Sequence, residues 1–142
     1  MVSISIEEKL RNRLDSKSVK KHKLMRRFLR DYKVDLNNLY TMDALYISIL
    51  NNDLKMFKLL QEYGANIDVE DKDLYMHLTI QNKNLEFLEY ILNNVELNFD
   101  CIFTLFANEY LINQLGGKDL FNRVKKNCSK ELLEQYENYY QL

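Results

Sequence analysis

Three segments of this 142-residue chain repeat one sequence pattern at a spacing of about 31 residues. They cover residues 29–37, 60–68 and 91–98, and each runs from the apolar end of a helix-forming stretch into a short polar turn. A fixed period of this size is typical of solenoids, in which each unit buries its apolar face against its neighbours. The repeat therefore predicts the shape of the protein and an action by binding, and it leaves the target open.

The composition favours helices throughout the chain. Proline is absent, and glycine occurs only at Gly64, Gly116 and Gly117. Apolar residues make up 46% of the chain and charged residues 29%, as in ordered globular proteins. Because helix formers are abundant and signals for strands and tight turns are few, we expect an all-α fold in one domain of 142 residues.

Several sequence signals bear on location. No run of about 18 apolar residues occurs, so we expect no membrane-spanning helix and no membrane partner. The first eight residues carry acids where a secretory signal carries bases, which predicts a cytoplasmic protein (in the host-cell cytosol for a viral protein or effector). Cys101 and Cys128 form no CxxC pair, and we expect two reduced, partly buried thiols.

Charge is distributed unevenly, although the formal net charge is −1. Residues 9–33 contain eleven Lys or Arg against two acids, and residues 34–110 contain thirteen acids against four Lys. Such polarity steers encounters with charged partners. One face of the helix expected near residues 20–30 forms a basic patch of Lys20, Lys23, Arg27 and Arg30.

The central part of the chain predicts two short helices, at 43–50 and 54–60, followed by Gly64 where a left-handed C-terminal cap needs no Cβ. This stretch resembles an ankyrin repeat. Residues 44–46 stand where that family has P-L-H, residues 52–53 where it has G-H, and residues 64–68 match its G-A-D-V-N ending.

The neighbouring segments resemble the family less closely. His77 occupies the His position of the family in the next repeat, and residues 33–37 stand for the G-A-D-V-N ending of an earlier one. Helices are also predicted at 118–127 and 130–141. The resemblance implies an ankyrin-like solenoid with helical caps, and the alternative is a helical bundle whose spacing is coincidental. The expected layout is a basic N-terminal cap or partial repeat (1–38), the best repeat (39–68), a second repeat (69–99), a degenerate repeat (100–117) and a C-terminal cap (118–142).

Catalytic and metal-binding signatures are missing from the sequence. No HExxH, GxSxG or phosphate-loop motif occurs, and the acids at 68–73 lack the glycine and distal glutamate of a calcium loop. His22 lies in a basic run, and His77 matches a position with a structural role in the family. We therefore expect no enzyme, no metal and no cofactor.

The family binds other proteins with its hairpin tips and the exposed ridge of its first helices. Carried onto this chain, the expected partner-binding residues are Leu39, Tyr40, Met42, Leu50, Asn51, Glu70, Asp71, Asp73, Gln81 and Asn82. Aromatic and apolar anchors with a charged rim are typical of interfaces. If the N-terminal helices cover the first three of these residues, those three belong to the core.

The sequence hypothesis is thus a protein–protein interaction module whose acidic side binds a partner with a basic surface. The sequence is compatible with a phage, viral or bacterial inhibitor of a host or rival protein, with an immunity protein that neutralises a toxin, and with an effector. It does not indicate which of these the protein is. The alternative is nucleic-acid binding through the basic helix, which the near-zero net charge disfavours. The oligomeric state stays open.

Overall fold

A computed structural model describes residues 5–37, 43–67, 72–94, 96 and 98–140. In these ranges the chain forms helices and no strand, so the predicted all-α class is confirmed. The helices are α1 (Ile6–Leu14), α2 (Lys21–Tyr32), α3 (Ala44–Leu50), α4 (Leu54–Glu62), α5 (Lys72–Gln81), α6 (Leu85–Asn94), α7 (Phe99–Ala107), α8 (Glu109–Gln114), α9 (Lys118–Asn127) and α10 (Lys130–Tyr140). Every helix that the structure describes is too short or too polar to cross a lipid bilayer.

The chain divides into two compact units, residues 1–67 and residues 68–142. Unit 1 contains α1 to α4, and unit 2 contains α5 to α10. The charge polarity follows this division. Unit 1 has thirteen Lys or Arg against eight acids, and unit 2 has seven against thirteen.

Unit 1 consists of two helical hairpins that lie side by side. Helix α1 pairs with α2 and α3 with α4, while α1 also contacts α3 and α2 contacts α4. The side chains that fill the space between these helices are fully buried, namely Leu10, Leu14, Met25, Ile49, Met56, Phe57 and Leu60. Burial of each such side chain contributes about 1.5–3 kcal/mol relative to exposure, which makes this core the main stabilising term of the unit.

The turn between α3 and α4 is a left-handed helix ending that also begins the next helix. Asn52 has a φ of 53°, and its N–H donates to the carbonyl of Ile49 at 2.8 Å. The N–H of Asp53 donates to the carbonyl of Ser48 at 2.8 Å. These two bonds form a Schellman motif, which satisfies carbonyls at the end of α3. The carboxylate of Asp53 then accepts from the N–H of Met56 at 3.0 Å and caps α4.

The same turn recurs 31 residues later in unit 2. Lys83 has a φ of 56°, and its N–H donates to the carbonyl of Ile80 at 2.9 Å. Asn84 takes the place of Asp53, since its N–H donates to Thr79 and its side-chain oxygen accepts from the N–H of Phe87. The spacing of this turn equals the period seen in the sequence.

A third turn of this kind joins α8 to α9. Gly116 has a φ of 86°, and the N–H of Gly117 donates to the carbonyl of Ile112 at 2.8 Å. Helix α9, which the sequence analysis assigned to the C-terminal cap, therefore forms a hairpin with α8 across Gly116 and Gly117. Unit 2 also packs α5 against α6 and α7, and α10 against α7.

Helix α10 docks on α7 mainly through aromatic rings. The ring of Tyr136 meets Phe106 at a centroid distance of 4.6 Å and an angle of 84°, and Tyr139 meets Phe103 at 5.5 Å and 88°. Edge-to-face pairs of this kind place the positive edge of one ring on the negative face of the other.

Candidate functional site

Helix α2 carries its basic side chains because its other face is buried. Met25, Phe28 and Leu29 lie in the core at the spacing of one helical stripe. Lys23 and Arg26 lie on the remaining surface and are exposed. The amphipathic pattern of α2 therefore turns a row of cations toward solvent.

Helix α4 presents a matching polar stripe beside α2. Its core residues are Met56, Phe57, Leu59 and Leu60. Lys55, Lys58 and Glu62 follow one another at intervals of three and four residues, so they lie along one side of the helix.

The two polar stripes line an open cleft of about 380 Å³, here named the α2–α4 cleft. Its lining residues are His22, Lys23, Arg26, Lys55, Lys58, Leu59 and Glu62. Of the described residues, four cationic side chains and one carboxylate thus line a single concave surface. Cations gathered in a concave site concentrate the positive potential and favour an anionic ligand.

One end of the cleft is held by a charged cluster around Asp53. The carboxylate of Asp53 lies 2.9 Å from Nζ of Lys21 and 2.9 Å from Nε2 of His22. Nζ of Lys21 also donates to the carbonyl of Leu14 at 3.1 Å, so the cluster joins the start of α2 to α1 and to the cap of α4. Burial would raise the pKa of Asp53, but the hydrogen bonds from Lys21, His22 and Met56 together hold it below its ordinary value. Lys21 and His22 therefore join α2 to the start of α4, and Lys21 also joins α2 to the end of α1.

Arg26 and Glu62 form an ion pair inside the cleft. Nη1 of Arg26 donates to Oε1 of Glu62 at 3.0 Å, and about half of each side chain is exposed (50% and 57%). The Arg26 guanidinium also lies over the ring of Tyr63, at 5.9 Å from its centroid. The hydrogen bond from Arg26 lowers the pKa of Glu62, so this carboxylate is ionised at neutral pH.

The structure brings only part of the predicted basic patch to the cleft. Lys23 lines it, whereas Lys20, Arg27 and Arg30 are exposed on other parts of the surface. Arg30 lies 3.6 Å from the carboxylate of Asp31. Sequence reasoning missed Arg26, Lys55 and Lys58 as site residues, although the spacing of Lys55, Lys58 and Glu62 marks one side of a helix.

Five of the predicted partner-binding residues lie outside the described residues, namely Leu39, Tyr40, Met42, Glu70 and Asp71. In unit 1, Leu50 is 52% exposed at the end of α3. The side-chain amide of Asn51 donates to the carbonyl of Leu14 at 3.1 Å and to Oδ1 of Asp15 at 3.0 Å. Asn51 is thus engaged in joining α3 to α1.

The remaining predicted partner-binding residues lie on and after α5 in unit 2. Asp73 lies in the first turn of α5 and is partly exposed, while Gln81 ends the helix and Asn82 follows it, both exposed. Gln81 lies eight positions after Asp73 along the helix, a rise of about 12 Å. The structure therefore places these residues at opposite ends of one helix.

The other described side chains that could react or bind a metal do not form a cluster. Within the described ranges, no group of three or more His, Cys, Asp or Glu could hold a metal ion. Cys101 is buried and Cys128 is partly buried, both are free thiols, and burial raises the pKa of each. His77 is partly buried on α5.

Comparisons with family models, with curated proteins and with solved structures find no match. The resemblance to ankyrin repeats accordingly remains a prediction from the sequence.

Proposed function

We propose that this protein is a non-catalytic protein-binding module that captures an acidic segment of a partner protein in the α2–α4 cleft. The observation that carries the proposal is the convergence of Lys23, Arg26, Lys55 and Lys58 on one concave surface. These residues come from two helices about 30 residues apart in sequence, and only the packing of α2 on α4 brings them together.

The electrostatics of unit 1 support an acidic partner. With thirteen Lys or Arg against eight acids, the unit is positively charged as a whole, and its cleft adds a local excess of cations. Complementary charge of this kind raises association rates and suppresses partners of the same sign. The acidic partner proposed here differs from the basic partner expected from the acidic tips, because Lys23, Arg26, Lys55 and Lys58 converge on one concave surface.

The lining of the cleft favours a protein segment over a nucleic acid. Proteins that bind single strands combine cations with aromatic rings on which bases stack. Among the residues that the structure describes, the lining of the cleft includes no Phe, Tyr or Trp, and Glu62 places a negative charge on its surface. A peptide segment needs no ring to stack on, so this lining suits a peptide better than it suits a single strand.

A binding experiment with a defined probe tests the proposal. The probe is a fluorescein-labelled, glutamate-rich dodecapeptide, titrated with the full-length protein at two salt concentrations while fluorescence anisotropy is recorded. The expected result is binding that weakens with salt and is lost in Lys55→Glu/Lys58→Glu. The matched control is Lys17→Glu/Arg27→Glu, which changes the charge equally at two exposed positions outside the cleft and should retain most of the binding.

Three outcomes would overturn the proposal. The first is no binding of the peptide by the wild-type protein. The second is an equal loss in both double variants, which would indicate diffuse attraction without a site. The third is tighter binding of a labelled oligonucleotide of the same net charge, with loss in the cleft variant, which would establish the nucleic-acid alternative.

A further inference from the structure

One side chain in the cleft has the charge of the proposed ligand. The Glu62 carboxylate lies on the cleft surface and accepts a hydrogen bond of 3.0 Å from the guanidinium of Arg26. We propose that Glu62 is an internal competitor, and that the cleft binds its partner by exchanging the Glu62 carboxylate on Arg26 for an aspartate or glutamate carboxylate of the partner. This inference rests on the proposed function and adds the residue that competes with the partner for Arg26.

Because the Arg26–Glu62 pair is exposed, separating it requires little free energy. About half of each side chain is in contact with water, and exposed ion pairs contribute little to stability. Release of Glu62 therefore requires only a change of rotamer at the surface, with no opening of the core. The glutamate keeps its charge in the process, because it returns to water.

Arg26 is held in position by groups other than Glu62. Its helix is anchored by buried Met25, Phe28 and Leu29, and its guanidinium lies over the ring of Tyr63. A planar guanidinium that is already oriented loses less freedom on binding a carboxylate than a free one does. Arg26 should therefore remain ready to bind when Glu62 leaves.

The order of charges along α4 indicates what the ligand looks like. Lys58 precedes Glu62 by one turn, about 6 Å along the helix, and Lys55 precedes Lys58. A ligand that replaces Glu62 on Arg26 can place a second carboxylate toward Lys58 and Lys55. The best ligand is therefore an acidic peptide segment with two carboxylates about one helical turn apart.

The experiment compares Glu62→Gln with Asp31→Asn in the peptide titration described above. Both variants remove one exposed carboxylate of unit 1, and Asp31 also lies next to an arginine, but only Glu62 lines the cleft. Exchange predicts that Glu62→Gln binds the peptide about two- to five-fold more tightly than wild type, as expected for loss of an exposed competing pair. Asp31→Asn should leave the affinity within about 1.5-fold of wild type.

A double-mutant cycle identifies the residue through which Glu62 acts. In an Arg26→Gln background, the gain from Glu62→Gln should fall to the level of Asp31→Asn, because the contested guanidinium is gone. Circular dichroism and the thermal midpoint of each variant establish that it is folded. An equal gain in both backgrounds, or equal gains from Glu62→Gln and Asp31→Asn, would overturn the exchange.

The two proposals fail in different ways. If wild type binds the peptide and loses it in Lys55→Glu/Lys58→Glu, while Glu62→Gln is unchanged, the cleft is a binding site and only the exchange is wrong. If neither wild type nor Glu62→Gln binds the peptide, both proposals are wrong. A second peptide whose only two acids lie at its opposite ends should bind more weakly than one whose two acids lie close together, and equal affinity would refute the spacing.

Discussion

Asn37 and Gly64 are joined across unit 1 by a hydrogen bond of 2.7 Å, in which the side-chain amide of Asn37 donates to the carbonyl of Gly64. The side-chain oxygen of Asn37 also accepts from the N–H of Asn66 at 2.8 Å. One side chain therefore satisfies a donor and an acceptor in the loop after α4, and connects it to the loop after α2.

Replacement of Asn37 by Ala should lower the free energy of unfolding by about 1–2 kcal/mol, because both bonds are lost. Asn37→Asp is the matched variant, since it keeps the acceptor for Asn66 and loses the donor to Gly64. Because the new carboxylate oxygen would face the carbonyl oxygen of Gly64, Asn37→Asp should be no more stable than Asn37→Ala in a urea titration at neutral pH. Wild-type stability in both variants would show that the loops do not depend on this contact.

The stability of unit 1 should depend on pH through Asp53. Its pKa in the folded protein is lowered, so its contribution is fully present above the ordinary value of 3.8 and is lost as pH falls through the lower folded value. Wild type should therefore lose stability steeply below about pH 4.

Two substitutions of Asp53 separate its roles. Asp53→Asn keeps a capping side chain for α4 and removes the charge, so its stability should depend less on pH below about pH 5. Asp53→Ala also removes the cap and should cost about 1 kcal/mol more at neutral pH. Equal acid sensitivity of wild type and Asp53→Asn, in urea titrations between about pH 3 and 7, would contradict this account.

Lys83 is a lysine in a left-handed conformation, with a φ of 56°. Glycine adopts this conformation without the Cβ penalty, and the gain exceeds the added freedom of its unfolded chain. Lys83→Gly should therefore raise the free energy of unfolding by about 0.5–1 kcal/mol, measured by thermal or urea denaturation. Lys83→Ala keeps the Cβ and should give no such gain, so equal effects of Gly and Ala would refute the argument.

Gly116 and Gly117 should respond to alanine for different reasons. A Cβ on Gly117 would lie 2.6 Å from Cγ2 of Ile112 and 2.9 Å from its carbonyl oxygen, and the backbone cannot move away cheaply. Gly117→Ala should cost about 1–3 kcal/mol by overpacking. A Cβ on Gly116 would meet open space, so Gly116→Ala should cost only about 1 kcal/mol from its φ of 86°. The reverse order in a thermal denaturation would contradict the packing at this turn.

Tyr136 should control the docking of α10. Because its ring packs edge-to-face on Phe106, Tyr136→Ala should cost about 1–3 kcal/mol and increase amide hydrogen exchange across residues 130–140. Glu134→Ala changes an exposed residue of the same helix and serves as the control. Unchanged exchange in Tyr136→Ala would show that other contacts hold the helix.

Much of the helical structure could be predicted from the sequence, because the signals are local. The predicted helices at 43–50 and 54–60 are confirmed by α3 and α4, and those at 118–127 and 130–141 by α9 and α10, within one or two residues. Asp53 is an example. Its N–H bonds to the last turn of α3 and its short acidic side chain caps α4, so one residue marks the end of one helix and the start of the next. The degenerate repeat expected at 100–117 spans most of α7 and all of α8, which meet at Asn108.

The candidate site could be predicted only in part. Lys23 was named because the basic run of α2 is visible in the sequence, but Arg27 and Arg30 were named with it and do not line the cleft. Lys55 and Lys58 were missed because they lie in a stretch where acids predominate. Their importance comes from the partner helix, which no local pattern identifies.

By itself the sequence determined the helices, their caps and the 31-residue spacing of the turns, because each depends on residues within one or two turns of each other. Only the tertiary structure decided which charges share a cleft. The contact of α2 with α4 places Arg26 beside Glu62, 36 residues apart, and that juxtaposition follows from burial of apolar faces that lie elsewhere on both helices. Burial of the apolar side chains decides where the charged side chains lie, so the pattern of charges in the sequence does not predict which of them meet.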